Sequence, residues 1–96
     1  MPKATRLGDV DTGHDNCPQT ALNTASSNVF INGKGAGRLG DSYVPHGCVI
    51  HPPHSGKVST GSSTVFINGR PAARVGDSVS CGGSVAVGSN NVFIGG

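Results

Sequence analysis

Residues 28–41 read NVFINGKGAGRLGD and residues 64–77 read TVFINGRPAARVGD, one segment repeated at an offset of 36 residues. A third copy begins at 91–96 as NVFIGG, and its complement stands at the opposite end of the chain. There, Ala4-Thr5-Arg6-Leu7-Gly8-Asp9 matches Ala36-Gly37-Arg38-Leu39-Gly40-Asp41 and Ala72-Ala73-Arg74-Val75-Gly76-Asp77. A unit divided between the termini makes sense only if the termini meet. The pattern therefore predicts a single domain over residues 1–96 in which three units, 28–41, 64–77 and 91–96 completed by 4–9, close into a ring with approximate threefold symmetry.

Each unit reads as a β-hairpin. Val-Phe-Ile is β-branched and aromatic, as strands prefer. Asn32-Gly33 and Asn68-Gly69 are the residues that a type I′ turn requires, because both central positions need positive φ, and Gly95-Gly96 suits the same role. The returning strand carries Ala-Arg-Leu/Val, and Gly-Asp ends it in a turn. Arg6, Arg38 and Arg74 each precede Asp9, Asp41 and Asp77 by three residues, a spacing that predicts local salt bridges and Asx turns on a solvated surface. Side chains alternate along a strand, so Val29 and Ile31 share one face and Phe30 takes the other. Neither face is polar. Phe30, Phe66 and Phe93 then either fill the core or present a surface to a partner.

Sixteen glycines, six prolines and no glutamate in 96 residues argue for an all-β protein with many turns and no long helix. With four aromatic residues and no tryptophan, the core is thin, and small thin-cored domains usually need a disulfide, a metal or a partner chain. Three cysteines cannot all pair within one chain. Metal ligands recur instead. His14 and His46 each lie five residues past the Asp of a Gly-Asp turn, and Cys81 lies four past the third. Equivalent points on three units thus each offer a zinc ligand that can converge on a shared axis. His51 or His54 supplies a fourth, giving the mixed imidazole and thiolate set that zinc accepts at about 2.0–2.3 Å. Cys17 and Cys48 are rival ligands, a disulfide pair with each other, or packing residues.

Several functions are disfavoured. A closed four-ligand zinc is structural, whereas catalytic zinc keeps one position for water. No general base stands out, and no Gly-x-Ser-x-Gly, P-loop or His-Glu-x-x-His motif occurs, so the chain is not expected to be an enzyme. The formal charge is +2 with no run of basic residues, which speaks against nucleic acid. No apolar stretch approaches the roughly 20 residues of a membrane span, and no signal-peptide pattern opens the chain.

Pro71-Ala72-Ala73-Arg74, with Val-Phe-Ile-Asn-Gly before it and Gly-Asp followed by a His or Cys after it, resembles the PAAR-repeat proteins. Gly35-Ala36-Gly37-Arg38 and Lys3-Ala4-Thr5-Arg6 depart from the motif but keep the arginine. The resemblance implies a compact cone of hairpin repeats whose broad end caps the trimeric VgrG β-helix of a bacterial type VI secretion system, or the spike of a contractile phage tail, one tip per trimer. It implies one structural zinc near the apex held by three His and one Cys. These carry over to His14, His46, His54 and Cys81, with His54 chosen over His51 because His54-Ser55-Gly56 matches the family's His-Gly segment. It implies synthesis in the bacterial cytoplasm, delivery outside the cell with the injection apparatus, and help in piercing the target envelope. The chain is expected to be a bare tip without its own cargo, with effectors as further partners and no stable membrane insertion.

Overall fold

In a computed structural model, residues 1–13, 18–48 and 51–96 are described, with the backbone alone for 46–48 and 51–54. The Asn-Gly pairs make the turns their chemistry favours. Strands β1 (Phe30–Ile31) and β2 (Lys34–Gly35) pair antiparallel, Phe30 with Gly35 and Ile31 with Lys34, around Asn32 at φ 54° and Gly33 at φ 78°. Strands β3 (His46–Cys48) and β4 (His51–His54) form a second antiparallel pair with a register shift. Strands β5 (Phe66–Ile67) and β6 (Arg70–Pro71) repeat the first hairpin around Asn68 at φ 55° and Gly69 at φ 78°. Lys3 bridges Phe93 antiparallel, Ala4 N–H donates to the Val92 carbonyl at 3.0 Å, and Ile94 N–H donates to the Pro2 carbonyl at 2.9 Å. The two ends of the chain therefore lie side by side. There is no helix among the described residues.

The segments bearing the arginines meet in a closed cycle of backbone bonds. Gly37 N–H donates to Thr5 O at 3.0 Å, Ala73 N–H to Gly37 O at 3.0 Å, and Thr5 N–H to Ala73 O at 3.2 Å. Side-chain room here is minimal. A Cβ on Gly37 would stand 2.8 Å from Thr5 Cγ2 and 3.0 Å from Leu22 Cδ2, so Gly37 leaves the space that the larger Thr5 side chain at the equivalent position fills. The second position is alanine three times, and Ala4, Ala36 and Ala72 are wholly buried against Ile31, Ile67 and Ile94. A second cluster lies beyond the cycle and contains Leu22, Tyr43, Val58, Ala73, Val79 and Val85.

The arginines serve both their own turn and the next hairpin. Arg38 donates from Nε to Asp41 Oδ2 at 3.0 Å and from an Nη to Oδ1 at 2.9 Å, and its backbone N–H donates to Oδ2 at 2.7 Å. Arg6 with Asp9 and Arg74 with Asp77 repeat this pattern. The remaining Nη of each arginine crosses to a neighbouring turn: Arg6 to Asn32 Oδ1, Arg38 to Asn68 Oδ1, and Arg74 to Gly95 O, at 3.1, 3.1 and 3.2 Å. The sequence-based expectation of solvated pairs fails on burial. Asp9, Asp41 and Asp77 are buried, and the arginine side chains are 11–14% exposed. Bridging two hairpins requires each ion pair to sit in the wedge between them. A buried pair stabilises little over an apolar substitute, but losing one partner strands the other charge. These pairs therefore fix geometry.

Equivalent bonds continue upstream of the hairpins. Ser26, Ser62 and Ser89 are buried, and each hydroxyl accepts the N–H of the residue three ahead: Val29 at 2.9 Å, Val65 at 2.9 Å and Val92 at 3.0 Å. Four residues before each serine stand Leu22, Val58 and Val85. Their N–H groups donate to Asp9 O, Asp41 O and Asp77 O at 2.9, 3.0 and 2.8 Å. The molecule measures 37 × 24 × 23 Å.

Candidate functional site

Two regions carry chemistry that the fold itself does not consume. The first lies past the Gly-Asp turns, where the connections to the next hairpin begin. Asp11, Tyr43 and Val79 stand two residues past the three turns and bridge Val85, Leu22 and Val58 respectively. All three are buried. Asp11 Oδ1 accepts the N–H groups of Gly13 and Thr20, both at 3.0 Å. Asp11 Oδ2 and the Tyr43 hydroxyl are buried with no hydrogen-bond partner among the described residues. Burial pushes the Tyr43 hydroxyl pKa up, with the nearby Asp11 carboxylate adding to the rise. Both disfavour a phenolate, the first by desolvation and the second by like charge.

Beyond this layer, backbone packing brings together the segments that carry some of the metal-ligand candidates. His46 and His54 are Cα partners across β3 and β4, and His51 is the partner of Cys48. Gly56, two residues past His54, lies against Cys81: a Cβ there would stand 2.8 Å from Cys81 Sγ and 2.6 Å from Val79 Cγ1. Gly83, two residues past Cys81, lies against Gly13, where a Cβ would meet the Gly13 carbonyl oxygen at 2.7 Å. Thr12 N–H donates to Ser84 O at 2.9 Å, and Ser84 N–H donates to Thr12 Oγ1 at 3.0 Å. Cys81 is half-buried and rests on the second core cluster. His14 and Cys17 lie outside the described residues, and for His46, Cys48, His51 and His54 only the backbone is described. Among the described residues no three His, Cys, Asp or Glu side chains form a metal-binding group.

The second region is the hairpin face. The sequence left the phenylalanines between core and surface, and the isoleucine beside each one takes the core instead. Ile31, Ile67 and Ile94 are 7–8% exposed, whereas Phe30, Phe66 and Phe93 are 60%, 56% and 45% exposed. Within a two-residue strand only one side chain can face inward, and the other must face out. Val29 and Val65 add exposed aliphatic surface beside them.

The motif that organises both regions is also what relates the chain to known proteins. Residues 51–96 match the family model described as PAAR motif. This stretch carries a PAAR motif. A comparison with curated proteins finds no match. The PAAR motif is associated with the spike tips of type VI secretion systems. In this chain each motif position has a physical role: the first closes the hairpin, the second fills the first core cluster, the third sits in the cycle of backbone bonds, and the arginine ties its turn to the next hairpin.

Sequence reasoning missed Ser26, Ser62 and Ser89, and with them Leu22, Val58 and Val85. The signal was present. LNTASSNVFI, VSTGSSTVFI and VAVGSNNVFI align without a gap, so the repeat starts six residues before Asn28, Thr64 and Asn91.

Proposed function

We propose that this chain is a PAAR-repeat protein throughout and acts as a non-enzymatic, metal-pinned tip that caps the flat end of a trimeric VgrG-type spike or the related phage tail spike. One observation carries the reading. The arginine contacts run in a cycle, from the segment of Arg6 to Asn32, from that of Arg38 to Asn68, and from that of Arg74 to Gly95, so one chain presents three like hairpins around one axis. A threefold partner can be matched once per protomer only by such a chain. The exposed Phe30, Phe66 and Phe93 then form the contact face, and their burial covers strand edges that a spike would otherwise leave open to aggregation.

Zinc belongs at the opposite end, with His14, His46, His54 and Cys81 as ligands. The donor chemistry fits. The set is three imidazoles and one thiolate, β3 and β4 bring the backbones of two of the histidines together, and Gly56 passes against the Cys81 sulfur. Bound zinc would cross-link these connections, and structural zinc in finger peptides contributes about 10–16 kcal/mol. The four described carboxylates, Asp9, Asp11, Asp41 and Asp77, are all buried, in keeping with a structural role. No described helix is long and apolar enough to cross a membrane, in keeping with a tip that travels outward on the apparatus.

Mixing the chain with a recombinant VgrG-type spike trimer and measuring the mass of the complex in solution tests the reading. One chain per three spike protomers supports it. No complex, or three chains per trimer, leaves a free-standing zinc-binding β domain as the better description.

A further inference from the structure

The chain has five acidic residues, all aspartate. Four are described, and all four are buried: Asp9, Asp41 and Asp77 by their arginines, and Asp11 in the layer beneath the connections. The three bridging arginines are thereby neutralised. The described basic side chains left exposed are Lys3, Lys34, Lys57 and Arg70. Three of these four lie in the hairpins, one to each. Lys34 pairs with Ile31, Arg70 pairs with Ile67, and Lys3 bridges Phe93. Their polar contacts are slight. Lys3 Nζ reaches Asn90 Oδ1 at 3.5 Å, and Arg70 reaches Leu39 O at 3.3 Å and Asp41 Oδ1 at 3.7 Å. The isoleucines draw the hairpins into one cluster, so each hairpin carries one exposed phenylalanine and one exposed cation, Lys34 and Arg70 opposite an isoleucine and Lys3 opposite a phenylalanine, with no exposed aspartate among the described residues.

From this distribution we infer that the hairpin face is built for a protein surface with three apolar sockets rimmed by carboxylates. The inference rests on the spike-tip reading and adds the charge of the partner to it. The two side-chain types divide the work. Phenylalanines pressed into sockets hold the complex, as buried aromatic anchors do. Cations at the rim attract the partner and set rotational register, and they affect the rate of association more than its final strength. A face of one sign with nothing to cancel it also repels a second copy of itself.

The test uses the whole chain, a VgrG-type spike trimer whose end-face carboxylates are intact or changed to amides, and vesicles of phosphatidylcholine and phosphatidylserine. The charge variant is Lys3→Gln with Lys34→Gln and Arg70→Gln, all exposed positions, with its thermal midpoint as a folding control. Against the acidic spike end, the association rate of the variant should fall about tenfold or more in 50 mM salt, and the gap should close in 500 mM salt as screening shortens the reach of charge. The amide spike should show the same loss with the unaltered chain. An unchanged rate with intact 1:3 stoichiometry overturns the charge inference and leaves the tip reading standing. Failure of the unaltered chain to bind any spike overturns both. Tighter binding to the anionic vesicles than to the acidic spike assigns the face to lipid and also overturns the inference.

Discussion

The hairpin end and the histidine–cysteine end of this chain solve the same problem differently. At the hairpin end, equivalent positions hold equivalent residues. Three alanines, three isoleucines, three serine hydroxyls and three arginine–aspartate pairs repeat one set of contacts. At the other end the equivalent buried positions hold Asp11, Tyr43 and Val79, and two of these keep an oxygen without a partner among the described residues. The connections leaving them differ in length, with Leu22, Val58 and Val85 standing 13, 17 and 8 residues past Asp9, Asp41 and Asp77. Repetition stabilises the first end, because a bond that works in one unit works in all three. The second end has traded repetition for a varied set of side chains.

The sharpest way to break this contrast is to remove the proposed metal. Chelation, or Cys81→Ala, should lower the thermal midpoint by roughly 15 °C or more, since each kcal/mol shifts a domain of this size by about 4–8 °C. Amide exchange should speed first at residues 11–13 and 79–84, while Gly37 and Ala73 stay slowest. Uniform loss of protection would mean that the two ends are not energetically distinct. Next comes Arg38→Ala, which strands the buried Asp41 and should destabilise by about 3–5 kcal/mol in chemical denaturation. Arg70→Ala, at a side chain 46% exposed, should stay within about 1 kcal/mol of the parent. Equal effects would show that burial of the pair is not what matters.

Alkaline pH sharpens the picture at the proposed metal end. The folded state raises the Tyr43 pKa above its ordinary value of 10.0. Above that ordinary value the unfolded chain gives up the phenolic proton while the folded chain keeps it, so Tyr43 makes stability fall as pH rises. Tyr43→Phe should flatten that part of the decline from pH 10 upward, and an identical pH profile in both proteins would refute the assignment. The smallest effect probes the repeat itself. Thr24 donates to Asp41 Oδ1 and accepts from Ser42 N–H, and Thr60 does the same with Asp77 and Ser78. The third equivalent position holds Val87. Val87→Thr should raise stability by about 0.5–1 kcal/mol by restoring a hydroxyl facing Asp9, and a loss of stability would show that the third unit has drifted from the other two.

What could be read from the sequence follows the same division. Val-Phe-Ile-Asn-Gly names its own geometry, because Asn-Gly has little choice but the tight turn found at Asn32-Gly33 and Asn68-Gly69. The arginine–aspartate pairing was legible from its three-residue spacing. Its burial was not, because the second contact of each arginine is to a residue some 21 to 30 positions away, which no local pattern reports. The outward turn of Phe30, Phe66 and Phe93 was equally hidden: a strand of alternating apolar residues does not say which face is covered. Gly83 looks like an ordinary loop glycine in sequence, and Gly56 stands out only as part of the His54-Ser55-Gly56 segment; the close approach of the Gly13 carbonyl and of Cys81 Sγ gives them a physical reason.

The cycle formed by Thr5, Gly37 and Ala73 also dictates the order in which the molecule can assemble. Two of its bonds join residues 32 and 36 apart, but the third spans Thr5 to Ala73, and the hairpin beside it joins Ala4 to Val92 and Pro2 to Ile94. No local nucleus contains these contacts. The first residues must wait until almost the whole polypeptide has been arranged, so the final step is a single long-range closure of the slow kind expected for high contact order.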